Sequence, residues 1–321
     1  MAELIDKFGR KINYLRISVT DRCNFRCIYC MPKEGIEWKP MSEILSYEEI
    51  ALFVKVAAGL GIRKIKLTGG EPLVRKGVEN LIEMLKSIDG IEEISLTTNG
   101  SLLKKYAKSL KEAGLDRITV SLDTLKAERF KFITRMGDLR DVLDGFEAIE
   151  DAGFKDTKIN TVVMKGVNDD EILDLVEFAL KVKCDIRFIE FMPTDIVKDW
   201  RRYFISISEI KRIIKDKYEL EHSDKKTNGP SDYFKIDGGF VGFITPLSSA
   251  FCSVCNRIRL TSDGFILPCL GHPDRVGVRE ALKEENEIKI SKLIKYAVEI
   301  KPKEHALLKE GIHSSMAAVG G

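Results

Sequence analysis

The chain has 321 residues, room for one large α/β domain with an appendage. With 44% hydrophobic and 32% charged residues it has the composition of an ordinary soluble globular protein, and no apolar run is long enough to span a bilayer. Lys and Arg total 52 against 50 for Asp and Glu, a net charge of +2, so no global basic excess argues for nucleic acid. Residues 1–7 lack the features of a signal peptide, so a cytoplasmic protein without a membrane partner is expected.

Residues 14–19 alternate apolar and polar side chains like a strand. A loop with Cys23, Cys27 and Cys30 in the spacing C-x3-C-x2-C follows at once. Three thiolates so spaced can hold three irons of a 4Fe-4S cluster and leave the fourth open to a small molecule. A zinc knuckle would need a fourth ligand, and none follows directly. Ser46-x-x-Glu49 is a capping box that opens an amphipathic helix through Ile50, Phe53, Val54 and Ala57. A strand over 64–67 leads into Gly69-Gly70-Glu71-Pro72. The rhythm continues with helix 78–88, strand 93–96, helix 102–113, strand 117–120, one helical region over 126–152, strand 158–163, helix 169–182 and strand 186–191.

Six strands alternating with helices argue for parallel βαβ units, either doubly wound or a barrel. Two units are missing for a closed eightfold barrel, so the expected fold for residues 1–198 is an open (β/α)6 partial TIM barrel. The suggestive residues fall at strand C-terminal ends, where parallel α/β folds bind ligands. They are the cysteines, Gly69-Gly70-Glu71-Pro72, Thr97-Thr98-Asn99, Ser121-Leu122-Asp123 and Met192-Pro193.

Beyond residue 193 the rhythm fails, and a boundary near 195–205 leaves residues 199–321 as a C-terminal α+β extension. It begins with helix 208–218 and a polar stretch over 222–230, then short strands with an Asp237-Gly238 turn. Cys252, Cys255 and Cys269 form a second triplet, C-x2-C-x13-C. It reads as a zinc ribbon completed by His272 or as a second iron-sulfur cluster with an open iron. Arg257 and Arg259, two apart on a strand, share one face, and their guanidinium forks suit a phosphorylated substrate. Cys184, the seventh cysteine, reads as a core thiol.

The first triplet, with Tyr29 before its last cysteine, resembles the signature of the radical S-adenosylmethionine (SAM) enzymes. Other motifs follow in an order that resembles the GTP 3′,8-cyclase family over nearly the whole chain. These are Gly69-Gly70-Glu71-Pro72, Thr97-Thr98-Asn99-Gly100, Ser121-Leu122-Asp123, Met164-Lys165-Gly166, the second triplet with Asn256-Arg257-Ile258-Arg259, and the terminal Gly320-Gly321.

The resemblance implies two 4Fe-4S clusters. Cys23, Cys27 and Cys30 would hold the one that binds SAM, with Tyr29, Gly70, Ser121 and Met192 near SAM. Cys252, Cys255 and Cys269 would hold the one that meets guanine. It implies GTP contacts from Arg16, Lys66, Thr97, Lys158, Arg257 and Arg259, and catalytic roles for Arg16, Arg257, Arg259 and a Gly320-Gly321 tail that reaches the active site. Lys66 stands where many relatives carry Arg, a point charge in place of a planar fork.

The implied lyase activity uses a radical from SAM to take hydrogen from C3′ of GTP and joins C3′ to C8. The product, 3′,8-cyclo-7,8-dihydro-GTP, is the first step of molybdenum cofactor (molybdopterin) biosynthesis. An electron donor of flavodoxin or ferredoxin type and a downstream pterin synthase are the implied partners, and a homodimer is among the expected assemblies. The competing readings are another radical SAM enzyme with an auxiliary cluster and a zinc-stabilised, non-catalytic binding module.

Overall fold

Strand side chains alternate between two faces, and here the alternation separates an apolar outer face from a polar inner one. The structure is a computed structural model that describes residues 3–310 and Met316. Strands β1 (Tyr14–Ser18), β2 (Lys64–Thr68), β3 (Glu93–Thr98), β4 (Arg117–Ser121), β5 (Lys158–Val163) and β6 (Asp185–Glu190) lie side by side in chain order, every pair parallel. Helices α1 (Tyr47–Leu60), α2 (Val78–Lys86), α3 (Leu103–Glu112), α4 (Ala127–Thr134), α5 (Leu139–Asp151) and α6 (Ile172–Lys181) connect them.

The outward residues Ile17, Leu67, Leu96, Val120, Ile159 and Phe188 pack in one core with Phe53, Leu81, Leu110, Val142 and Leu175 of the helices. Each such buried side chain contributes roughly 1.5–3 kcal/mol of transfer free energy. Cys184 lies in the same core, as expected for a structural thiol.

Local signals set several boundaries. The capping box at α1 forms, with Glu49 N–H donating to Ser46 Oγ at 3.1 Å and Ser46 N–H to Glu49 Oε2 at 2.7 Å. The helical region expected over 126–152 is instead two helices, and the reason is tertiary. The carbonyls of Ile133 and Thr134 accept from the amides of Ile28 and Arg26 at 2.9 Å each. The last carbonyls of α4 are thereby satisfied by the cysteine loop rather than by another helical turn. Arg135, at φ 64°, turns the chain away, and Asp138 caps α5 by accepting from Arg140 N–H at 2.8 Å.

The C-terminal residues extend the same sheet at both edges. After α7 (Ile207–Lys215) come β7 (Glu221–Ser223), β8 (Asp232–Ile236) and β9 (Gly239–Ile244), and β9 pairs parallel with β6. The expected Asp237-Gly238 turn joins β8 to β9, with Gly238 at φ 85°. Strand β10 (Arg257–Leu260) pairs parallel with β1, and β11 (Phe265–Leu267) and β12 (Val276–Gly277) follow it antiparallel. The twelve strands therefore run β12-β11-β10-β1-β2-β3-β4-β5-β6-β9-β8-β7. Each of β9 and β10 has one partner close in sequence, β8 and β11, and one far away, β6 and β1, and only the distant pairing joins it to the barrel. Helices α8 (Arg279–Lys283), α9 (Glu287–Glu299) and α10 (Leu307–Glu310) complete the described elements. Among the described residues no helix is long and apolar enough to cross a membrane.

Gly145 lies inside α5, where a Cβ would sit 2.7 Å from the Gly100 carbonyl oxygen and 3.1 Å from Leu103 Cβ. In an open helix Gly→Ala stabilises by about 1 kcal/mol. Here Gly145→Ala is expected to reverse that sign and cost about 1–3 kcal/mol, read as a lowered Tm.

Candidate active site

A parallel sheet buried on both faces is normally apolar on both. The inner face here instead lines a cleft with Arg16, Lys66, Thr97, Lys158, Arg187, Arg257 and Arg259 among its walls. Register brings them together. Arg16 lies opposite Lys66 on one side and Arg259 on the other, Tyr14 is opposite Arg257, and Arg187 is opposite Asn160. Arg257 and Arg259 share a face, as their spacing predicts.

Burial and mutual repulsion act on these cations together. Burial, then Arg187, Arg16 and Lys158, hold Lys66 well below the usual lysine range. Burial first and Arg187 next bring Lys158 down to about 8. Arg16 is lowered to about 10 by burial, with Arg257 and Arg187 adding repulsion. Arg259 is pushed down by burial, then by Arg16 and Arg257. A polyanion in the cleft would oppose every one of these shifts.

Lys66 Nζ donates to Thr119 Oγ1 at 3.1 Å and Arg187 Nη2 to the same oxygen at 3.3 Å, so both side chains reach past a neighbouring strand, while Arg187 Nε donates to Asn160 Oδ1 at 2.8 Å. Arg187 and Asn160 are absent from the residues expected from sequence. Their signal was an ionic or polar side chain at an inward strand position. Gly242 on β9 makes room for Arg187, since a Cβ there would lie 3.0 Å from Arg187 Cγ.

The strand ends carry the cysteine loop and its supports. Cys23, Cys27 and Cys30 are half-buried and form no disulfide. Burial raises the Cys27 thiol well above its ordinary value, and Cys30, Asp123 and Cys23 raise it further. Three thiols in mutual electrostatic reach disfavour one another's ionisation until a metal compensates, which fits a cluster donor set.

Gly70 packs directly against the cysteine loop. A Cβ on it would fall 2.3 Å from the Arg22 carbonyl oxygen, so glycine is needed for β2's loop to press on the cysteine loop. Gly70 N–H donates to Thr20 O and Glu71 N–H to Arg22 O, both at 2.8 Å. Buried Glu71 accepts from Asn99 N–H at 2.6 Å, Thr98 Oγ1 at 2.7 Å and Leu73 N–H at 3.0 Å, and burial pushes its carboxyl up to about 7. Tyr29 donates its hydroxyl to Asp123 Oδ2 at 2.6 Å and sets its ring edge-on to Phe191.

Of the residues expected near SAM, Met192 lines the cleft, while Tyr29, Gly70 and the half-buried Ser121 lie at the strand ends outside its walls. Gly320 and Gly321 lie outside the described residues, but Met316 lines the cleft.

Cys252, Cys255 and Cys269 are likewise half-buried and form no disulfide. Cys255 and Cys252 both contribute to the raised Cys269 thiol, after burial, so this triplet also shares one field. His272 turns its Nδ1 to the Asp274 carboxylate at 3.2 Å. Among the described residues no three His, Cys, Asp or Glu side chains are placed to hold a single metal ion.

Residues 17–179 match the family model described as Radical SAM superfamily, and residues 184–307 match Molybdenum Cofactor Synthesis C. The fold is similar to Streptococcus suis SuiB bound to S-adenosylmethionine, with TM-score 0.62 and 17% identity over 88% of this chain and 66% of that one. It is also similar to anSMEcpe with bound AdoMet, with TM-score 0.53 and 15% identity over 96% of this chain and 89% of that one. Fold and family model together define the class, a radical SAM enzyme with an iron-sulfur cluster and SAM as cofactors. The relative from Petrotoga mobilis, named GTP 3′,8-cyclase, is 46% identical over 99% of this chain and 100% of its own length. One of the same name from Thermodesulfovibrio yellowstonii is 50% identical over 87% of this chain and 88% of its own. The chain belongs to the GTP 3′,8-cyclase family.

Glu71→Gln puts an amide among three donors and is expected to cost about 1–3 kcal/mol. The folded carboxyl titrates at about 7 against an ordinary 4.5, so its contribution is full below pH 4.5 and is lost as pH rises through 7. Chemical denaturation from pH 4 to 8 checks this: the variant should show a shallower decline across that window than the parent.

Proposed function

We propose that this chain converts GTP to 3′,8-cyclo-7,8-dihydro-GTP, the first step of molybdenum cofactor biosynthesis. The observation that carries the proposal is the buried cationic cleft beside the second cysteine triplet, where Arg259 feels both Cys269 and Cys255. SAM and its cluster, when bound, supply a one-electron cleavage that yields a carbon radical able to take hydrogen from a ribose carbon. The protein's share is to bind, orient and exclude water.

Cys23, Cys27 and Cys30 hold the SAM cluster, and Tyr29, Gly70, Ser121 and Met192 shape its surroundings. Gly70 and Tyr29 do so through the loop contacts that seat the cysteines. Cys252, Cys255 and Cys269 would hold a second 4Fe-4S cluster for the guanine end of the substrate; the shared field of these thiols supports it, as does the turning of His272 toward Asp274. Arg16, Lys66, Lys158, Arg257 and Arg259, with Arg187 added, offset a triphosphate, and Thr97 offers a hydroxyl in the same cleft. Arg16, Arg257 and Arg259 also hold the nucleotide where C3′ and C8 can join.

Met316 in the cleft wall supports a tail that brings Gly320 and Gly321 to the substrate. In this reading residues 1–198 form the SAM half and residues 199–321 the auxiliary half. An electron donor of flavodoxin or ferredoxin type, a downstream pterin synthase, a cytoplasmic location and a homodimeric assembly complete it.

Anaerobic reconstitution with iron and sulfide, followed by SAM and a strong reductant, should give 5′-deoxyadenosine that rises with GTP and not with ATP. Equal yields with and without GTP would overturn the substrate. Binding should also depend on pH in a defined direction. Lys158 titrates near 8 in the empty cleft and an anion stabilises its charged form, so GTP affinity should weaken as pH rises above about 8, by up to roughly ten-fold per unit. Calorimetry on Lys158→Met should show weaker binding below pH 8 and a flatter profile above it.

A further inference from the structure

Lys301, just beyond α9, is 2% exposed, although burying an ammonium is costly unless it is compensated. Its Nζ donates to the carbonyl oxygens of Arg257 at 2.9 Å and Pro268 at 2.5 Å. Those residues lie two after Cys255 and one before Cys269. Both carbonyls belong to the segments that carry Cys255 and Cys269, so the ammonium sits between them.

Among the described residues no carboxylate forms an ion pair with Lys301, and its ammonium is met by backbone carbonyls beside two cysteines of the triplet. The segment is fixed in place as well. Buried Arg10 donates to Cys252 O at 2.7 Å, Pro302 O at 2.7 Å and Lys303 O at 3.1 Å, while its Nε meets Asp6 Oδ2 at 2.6 Å. The chain that follows Lys301 is thus tied to the loop that carries Cys252.

We infer that Lys301 is a positioning residue of the second cysteine triplet, holding the Cys255 and Cys269 segments together and biasing the iron-sulfur cluster bound there toward its reduced form. The inference rests on the reading that this triplet holds such a cluster. A fixed positive charge beside the sulfurs stabilises the more negative, reduced state and raises the reduction potential. A neutral replacement shifts the one-electron equilibrium toward the oxidised form by about ten-fold or more, which is roughly 59 mV per ten-fold.

The test is an EPR-monitored redox titration of the full-length, anaerobically reconstituted protein. Lys301→Met, Lys301→Gln and Lys301→Arg are compared with the parent, and the SAM-site cluster serves as internal reference. Gln removes the charge yet keeps a donor for the two carbonyls, and Arg keeps the charge. A lower potential for the second cluster alone in Met or Gln, restored by Arg, is the expected result. Failure of both neutral variants to hold the second cluster while Arg holds it also supports the inference. A neutral variant that keeps about eight irons per chain with an unmoved potential overturns it, as does an Arg variant that behaves like the neutral ones. A parent protein that loads only about four irons would instead overturn the reading of the triplet as a cluster site.

Discussion

Cationic side chains buried on the inner face of a parallel sheet are the constraint around which this molecule is arranged. Arg16, Lys66, Lys158 and Arg259 repel one another in a cleft where burial already disfavours their charge. Effective burial of an ion costs several kcal/mol. The opposite face of the same strands offsets that cost with Ile17, Leu67, Leu96, Val120 and Ile159, all fully buried against helices. One alternation thus supplies both the core that holds the sheet and the charge that makes the cleft selective for anions.

The loops at the strand ends are fixed by a recurring device, a buried carboxylate that collects N–H and O–H donors from neighbouring loops. Glu71 does this for the loop after β3. Glu171 does it before α4, accepting from Thr124 Oγ1 at 2.6 Å and Leu125 N–H at 2.8 Å, with Arg129 as ion partner. Glu190 holds the segment after β9 by accepting from the amides of Leu247 and Ser248 at 3.1 Å each. Loops that carry ligands need such rigidity, because a site is only as well placed as the side chains and backbone behind it.

The two sheet edges explain how the C-terminal residues join the barrel. An edge strand presents unpaired amides and carbonyls. On β1 and β6 these are taken by β10 and β9, which also bring Arg257, Arg259 and the segments around the second triplet to the cleft. The open barrel is therefore bordered by strands that contribute chemistry, and Lys301 secures one of them from behind.

Local sequence suffices for the six βα units, the cysteine spacings, the capping box at Ser46, the Asp237-Gly238 turn and the placing of Arg257 with Arg259 on one face. Those features depend on neighbours within a few residues, where periodicity and turn chemistry act. Tertiary structure alone decided the rest. The break after α4 exists because the cysteine loop takes its last carbonyls, Gly70 is required because Arg22 lies against it, and Tyr29 is committed to Asp123. Arg187 and Lys301 acquire their places from strands and loops remote in the chain. Strand alternation marks Arg187 as an inward polar position, but what it and Lys301 meet exists only once the sheet has assembled and distant segments lie side by side.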